Sequence, residues 1–141
     1  MPGVLLDTHA LYWLVSGNHP LSDEALVAIG KGQEARSLYV SPITAWELSL
    51  AVRKPNNAPD IGGAGIANWF RDAVRETAAR VISINQKIAI EAADVVMTTG
   101  HKDPGDCYLI ATARVRRMPI VSRDKVMLAM ASTGYVDVIN C

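Results

Sequence analysis

Short aliphatic runs alternate with stretches of helical periodicity along the whole 141-residue chain. Val4 to Leu6, Leu38 to Ser41, Arg80 to Ile84, Pro119 to Ser122 and Tyr135 to Ile139 read as strands. Apolar spacing predicts helices over Thr8 to Ser16, Ser22 to Lys31, Pro42 to Lys54, Ile66 to Thr77, Gln86 to Thr98, Asp103 to Arg116 and Lys125 to Ala131. Pro42 and Pro104 suit first helical turns, and the Pro/Asn/Gly-rich run from Pro55 to Gly63 is the longest loop. This alternation predicts an α/β fold: a mostly parallel central sheet of about five strands with helices on both faces, joined by right-handed crossovers. Ligands of such folds bind beyond the carboxyl ends of the strands.

Composition narrows the picture in a few places. With half its residues hydrophobic, the chain has the length and core of one domain over residues 1–141. Fourteen Lys and Arg balance fourteen Asp and Glu, so nucleic-acid binding would need a local basic patch. The start, Met1 to Asp7, carries no basic leader, and no segment approaches the roughly 20 apolar residues of a membrane span, so the expectation is a cytoplasmic protein without membrane contact. Cys107 and Cys141 lack CxxC or Cys/His spacing and are expected to be free thiols. Gly62-Gly63-Ala64-Gly65 follows no strand and carries no Lys-Ser/Thr, which makes it a poor phosphate loop.

The chemistry lies in four acids placed beside the most apolar runs. Asp7 closes Val4-Leu5-Leu6, and Asp124 follows the strand that ends at Ser122. On a helix, Ile43, Trp46, Glu47 and Leu50 share one face, as do Asp106, Leu109, Ile110 and Ala113, so both acids fall on stripes expected to face the core. A lone buried carboxylate costs several kcal/mol or titrates to neutral, so four of them point to a shared divalent cation. Each also has a plainer reading. Asp7 and Asp124 are good helix N-caps, and Asp103-Pro104-Gly105-Asp106 reads as a helix start with Asp103 as the cap. Glu47, in mid-helix, has no capping role and is the most diagnostic of the four. Thr8 and Ser122 can offer hydroxyls to the same cleft as well as capping. Trp13, Trp46 and Trp69 read as core or interface anchors, and His101, in a polar connection, as a surface residue. Arg123 and Lys125 flank Asp124 and, with Arg53 and Lys54, are the candidate phosphate-binding cations; Arg71 and Arg75 would extend the track.

Four segments carry a resemblance. Leu5-Leu6-Asp7-Thr8-His9-Ala10-Leu11-Tyr12-Trp13, Ser41-Pro42-Ile43-Thr44-Ala45-Trp46-Glu47-Leu48, His101-Lys102-Asp103-Pro104-Gly105-Asp106 with Leu109-Ile110-Ala111-Thr112-Ala113, and Val121-Ser122-Arg123-Asp124 resemble the signature segments of PIN-domain ribonucleases, in particular VapC-type toxins. The segments span the chain in the family's order. The resemblance implies a PIN-like fold and a metal-dependent endoribonuclease in which Asp7, Glu47, Asp106 and Asp124 are catalytic residues and ligands of Mg²⁺ or Mn²⁺, supported by Thr8, Asp103 and Ser122. Hard carboxylate oxygens without His or Cys suit those ions. It further implies products with 5′-phosphate and 3′-hydroxyl ends, a homodimer, and a cognate antitoxin, for which Leu11, Leu14, Trp69 and Phe70 are the expected apolar groove. The chain departs from the toxins at Gly105 and Cys107, where they commonly carry an aromatic residue and an Arg. Competing readings are a catalytically weakened PIN domain that only binds, and a metal-dependent phosphatase.

Overall fold

Val4–Leu6 (β1) is buried at all three positions, which is why it reads as a continuous aliphatic run rather than an alternating one. A computed structural model describes residues 3–141; Met1 and Pro2, part of the start read as leaderless, lie outside them. After β1 come α1 (Thr8–Ser16), α2 (Asp23–Ala35), β2 (Leu38–Val40), α3 (Pro42–Ala51), α4 (Ile66–Glu76), β3 (Arg80–Val81), α5 (Gln86–Thr99), α6 (Pro104–Arg116), β4 (Ile120–Ser122), α7 (Lys125–Ser132) and β5 (Val138–Asn140). The sheet has the order β3-β2-β1-β4-β5, and every pairing is parallel, so the fold is α/β with a wholly parallel sheet.

The pleat sorts the strands onto two cores. Leu5 and Ile120 join α5, α6 and α7 on one face, while Val4, Leu6, Leu38, Val40 and Val121 join α1, α2 and α4 on the other. Boundaries move where packing overrides local pattern. Helix α2 continues past Lys31 to Ala35, and Gly32 within it makes a close approach onto the sheet: a Cβ there would stand 3.2 Å from Val4 Cγ1 and 3.3 Å from the Leu38 backbone. Strand β3 is only two residues long, and β5 begins at Val138 because Tyr135 and Val136 pack into the core on the turn after α7. No helix among the described residues is long and apolar enough to cross a membrane.

The chain leaves β1 toward β2 on one side and returns to β4 on the other, so the sheet reverses its winding between β1 and β4. Parallel sheets open a crevice at the carboxyl ends of strands where the winding reverses. Asp7 follows β1 and Asp124 follows β4, which sets both acids at the mouth of that crevice.

Candidate active site

Asp7 is fixed from both sides. Its amide donates to Val121 O at 3.2 Å, tying the ends of β1 and β4, and its Oδ1 accepts the Ala10 amide at 2.8 Å as the N-cap of α1. The carboxyl is 5% exposed. Thr8, the first residue of α1, is buried, and its hydroxyl donates to Glu47 Oε1 at 2.5 Å and lies 3.2 Å from Thr44 Oγ1. The hydroxyl thus serves Glu47 and leaves capping to Asp7.

The orientation of α3 differs from the reading of its sequence. Its buried positions are Thr44 and Leu48, while Trp46 and Leu50 are 46% and 49% exposed, so the face through Ile43, Trp46, Glu47 and Leu50 is not a core stripe. The helix packs against α1, α4 and α6 rather than lying flat on the sheet, which narrows its buried side. Glu47 is half-buried beside that narrow side, turned to Thr8 and to the start of α6.

There Asp103 caps α6, its Oδ1 accepting the Asp106 amide at 3.1 Å, with Pro104 in the first turn. Gly105 is buried, and a Cβ at that position would stand 2.3 Å from Glu47 Oε2, so the missing side chain is the space the Glu47 carboxylate occupies. One oxygen each from Glu47, Asp103 and Asp106 lie within 4.8 Å of one another. Asp103 is therefore both the cap and a member of the acidic group. Asp7 and Asp124 are not members of that mutually close group. Asp124 Oδ1 caps α7, accepting Val126 N at 2.9 Å and Met127 N at 3.0 Å, and Ser122, fully buried, accepts the Asp124 amide at 3.0 Å.

His101 is the residue that sequence reasoning missed. Instead of sitting on the surface it is half-buried, with Nε2 2.8 Å from Asp106 Oδ2; its amide donates to Thr99 Oγ1 and its carbonyl accepts Cys107 Sγ. The available signal was the turn: Gly100, at φ 76°, ends α5 and the cap at Asp103 starts α6, a tight reversal that carries His101 back over the first turn of α6. Cys107 and Cys141 are both free and buried, and burial, then nearby carboxylates, holds both thiols up.

The electrostatics are those of crowded, drying carboxylates. Burial is the largest cause holding Asp7 above the ordinary carboxyl range, opposed by the Ser122 hydroxyl and the Ala10 amide. Burial also lifts Glu47 against the Thr8 hydrogen bond, with Asp106 and Asp103 adding repulsion. Asp106 is raised by burial, then by Asp103 and Asp124, against the pull of His101. No Lys or Arg forms an ion pair with these acids among the described residues. A set of hard oxygen donors, unneutralised and with a cleared space at Gly105, fits a divalent Mg²⁺ or Mn²⁺ better than a soft metal.

The expected basic track fares unevenly. Arg123 is drawn away from a phosphate role: its guanidinium donates to Pro20 O at 2.9 Å and Cys141 O at 2.6 Å and stacks 4.1 Å from the Trp13 ring centre. Arg53 and Lys125 are exposed, and Lys54 lines a cleft with Thr8 and Glu47. Arg71 and Arg75 share Asp72. The expected apolar groove is also reduced. Leu11 is fully buried, because it faces the sheet core with Ala10, and Leu14, Trp69 and Phe70 are partly buried against the same core. Trp46 is exposed rather than an anchor of the core.

Residues 4–132 match the family described as the PIN domain. No curated protein matches the chain. Solved structures of similar fold include a chain of VapBC2 from Rickettsia felis bound to a DNA fragment from its promoter (TM-score 0.67, 11% identity, 97% of each chain covered). A toxin–antitoxin complex from Klebsiella pneumoniae aligns at TM-score 0.61 and 23% identity, over 97% of this chain and 96% of that one. VapBC-5 from Mycobacterium tuberculosis, of the VapBC family of toxin–antitoxin systems, aligns at TM-score 0.62 and 17% identity over all of both chains.

Proposed function

From the chain's membership of the PIN-domain family, we propose that residues 1–141 form a single PIN domain that hydrolyses RNA phosphodiester bonds as the toxin of a toxin–antitoxin pair. The observation that carries the reading is the group of Glu47, Asp103 and Asp106 oxygens within 4.8 Å, with buried Asp7 alongside and no cationic side chain paired to them except through His101. Half-buried like charges this close favour a neutralising ion or proton.

Glu47, Asp103 and Asp106 would hold Mg²⁺ or Mn²⁺, with Asp7 and Asp124 completing the acidic rim. When bound, the ion supplies charge neutralisation at the phosphate and a lower pKa for water in the site. The protein's own residues do the rest. Thr8 holds Glu47 by its Oε1 and leaves Oε2 directed at Gly105. His101 holds Asp106 by Oδ2. Asp7, held by the Ser122 hydroxyl and the Ala10 amide, would accept the proton, its carboxyl raised by burial toward the range of a general base. Hydrolysis then joins the water oxygen to phosphorus, breaks the bond to the 3′-oxygen, and leaves a 5′-phosphate and a 3′-hydroxyl, with one water proton passing to Asp7 and one reaching the leaving oxygen.

The partners proposed with this reading are an RNA substrate, a cognate antitoxin and a second copy of the chain in a cytoplasmic homodimer. Several structures of similar fold are of toxin–antitoxin complexes, which supports the antitoxin. A weakened domain that binds without cutting is the second reading; Cys107, buried with its thiol on His101 O, provides no cationic donor beside Asp106.

The test is incubation of the purified chain with cellular RNA and Mg²⁺, with EDTA and Asp7→Asn as controls, and identification of the new ends. Cleavage leaving 5′-phosphates, and growth arrest on expression that Asp7→Asn relieves, is the expected result. Hydrolysis of phosphate monoesters without RNA cleavage would replace the reading with the phosphatase, and metal binding with neither activity would replace it with the binding module.

A further inference from the structure

Beside the acidic group, between α1, the end of α3 and the loop that follows it, runs a cleft of about 440 Å³ that shares Thr8 and Glu47 with the candidate site. We propose that this cleft is a subsite for one unpaired nucleotide of the substrate strand, its base against a ladder of rings formed by His9, Trp13 and His19 and its phosphate near Lys54. The proposal rests on the nuclease reading above and names what that site selects: RNA with an unstacked base next to the bond that is cut.

Three features of the cleft carry it. The first is the ladder. The His9 and Trp13 ring centres lie 5.4 Å apart at 34°, and those of Trp13 and His19 lie 5.1 Å apart at 38°, so three flat polarisable groups stand side by side along the wall. Trp13 is locked from beneath by the Arg123 guanidinium, itself held by two backbone carbonyls, whereas His9 and His19 are exposed. Aromatic and imidazole rings of this kind take unstacked bases by their faces, which a base inside a duplex does not offer.

The second is the charge arrangement. Lys54, just past the end of α3 that carries Glu47, is the Lys or Arg lining the cleft, exposed and without an ion pair among the described residues, so it is available to a phosphate that the acids repel. The third is rigidity. The loop that forms the far wall is pinned to α1 by Tyr12, whose hydroxyl donates to Asp60 O at 3.0 Å and accepts the Asp60 amide at 2.9 Å. The cleft lies in the range of about 300–1,000 Å³ typical of small-ligand sites. A preformed slot of that size, continuous with the acids, suits one nucleotide better than a helix of a partner protein, which needs a longer and more apolar groove.

The experiment measures binding apart from cutting. An Asp7→Asn chain, which does not cleave, is titrated into labelled five-nucleotide single-stranded RNAs that are intact or lack one base at each position in turn. With His9→Ala and His19→Ala combined, affinity for the intact strand should fall roughly 10- to 100-fold, the range for one lost base stack. One abasic strand should show the same loss with the unaltered histidines and no further loss with the double variant. Lys54→Ala should instead reduce the slope of log affinity on log salt by about 0.7, one single-strand phosphate. Duplex RNA should bind more weakly than the single strand. Unchanged affinity in the histidine variant, while the wild-type chain still cleaves RNA, overturns the subsite and leaves the nuclease reading standing. Failure of the wild type to cleave RNA, together with no binding, overturns both. Unchanged RNA affinity with loss of a co-expressed protein partner would assign the cleft to that partner and also overturn the proposal. Both histidines are exposed, and an unshifted melting temperature confirms that the variants fold.

Discussion

The two ends of the sheet treat half-buried charge in opposite ways. At the amino end, before β4 and β5, Arg114 donates to Glu91 Oε2 at 3.2 Å and to Tyr135 O, and its guanidinium lies 3.8 Å from the Tyr135 ring centre. At the carboxyl end, Glu47, Asp103 and Asp106 crowd together with no Lys or Arg paired to them among the described residues, and burial pushes both Glu47 and Asp106 up. The first arrangement spends its charges on holding α5, α6 and the turn before β5 together; the second leaves them unsettled, as a site does that waits for an ion and a phosphate. Ion pairs stabilise a fold without serving it otherwise, whereas concentrated like charge in a cleft is a functional signature.

The largest effect should come from exchanging lesions between the ends. Glu47→Gln should reduce RNA cleavage by about 10²–10³-fold, the scale of losing one electrostatic stabiliser. The metal-free melting temperature should stay level or rise, because one repelling charge is gone. Arg114→Ala should do the reverse: stability falls by roughly 1–2 kcal/mol through the lost ring stacking and hydrogen bonds, while cleavage per folded molecule is unchanged. Paired melting curves and turnover on the same preparations decide it. A large drop in stability for Glu47→Gln in EDTA would make Glu47 a structural residue and erase the contrast.

A smaller effect is expected at His101, whose ring is bonded to the acidic group. The bond from Nε2 to Asp106 Oδ2 orients the carboxylate, and groups that hold metal ligands in place contribute about 10- to 100-fold to metal affinity. His101→Ala should raise by about tenfold the Mg²⁺ concentration that half-saturates the rise in melting temperature. His101→Gln, whose Nε2 stands in for the imidazole nitrogen, should recover much of it. Equal behaviour of the two variants would mean that the ring fills space and does not orient Asp106.

Much of this contrast could be read from the sequence, and the rest depended on contacts that no local pattern carries. The termini of α1 fell where they were read, because Asp7 is a strong cap and Gly17, at φ 70°, a strong stop. Acids directly after β1 and shortly after β4 follow from topology alone, so their gathering at one end was legible. The rotation of α3 was not. Its face through Trp46 and Leu50 is as apolar as the one through Thr44 and Leu48, and only packing on α1, α4 and α6 decides between them. Nor could Arg123 be foreseen as a clamp, since its acceptor at Pro20 lies 103 residues away. Asp103 was read as a cap and is one, but a cap in the first turn of α6 also stands beside Asp106 and Glu47, so the two roles were never exclusive.

Acidity offers a gentler probe of the same end. Asp7, Glu47 and Asp106 all have folded-state pKa values raised above their ordinary ones, chiefly by burial. For carboxyls raised in this way the stabilising contribution is fully present below the ordinary carboxylate value and is lost as pH rises through the raised values. The metal-free protein should therefore melt higher as pH is lowered through the raised values toward the ordinary carboxylate range, and Glu47→Gln should flatten that trend. Saturating Mg²⁺ competes with protons for the same oxygens and should weaken or reverse it. A metal-free protein that instead loses stability as pH falls there would show that interactions elsewhere outweigh the cluster.

The smallest expected change, and the one that tests the finest detail, is Gly105→Ala. A Cβ there would meet Glu47 Oε2 at 2.3 Å and Cδ at 2.5 Å, distances that require something to move. What moves is the free end of a flexible side chain, so the backbone of α6 should not yield. Alanine in place of glycine also favours a helix by up to about 1 kcal/mol, which offsets the displacement. The variant should thus fold with unchanged or slightly raised stability, while the Glu47 carboxylate is pushed off the position it shares with Asp103 and Asp106. Metal affinity, read from the Mg²⁺ dependence of the melting temperature, should weaken by a few-fold, and cleavage with it. Gly105→Phe should cost more than Gly105→Ala in this chain. Should Gly105→Ala bind Mg²⁺ as tightly as the wild type, the close approach of Glu47 to α6 would be a resting position of the empty cleft, and Thr8 alone would be left to set the carboxylate's place.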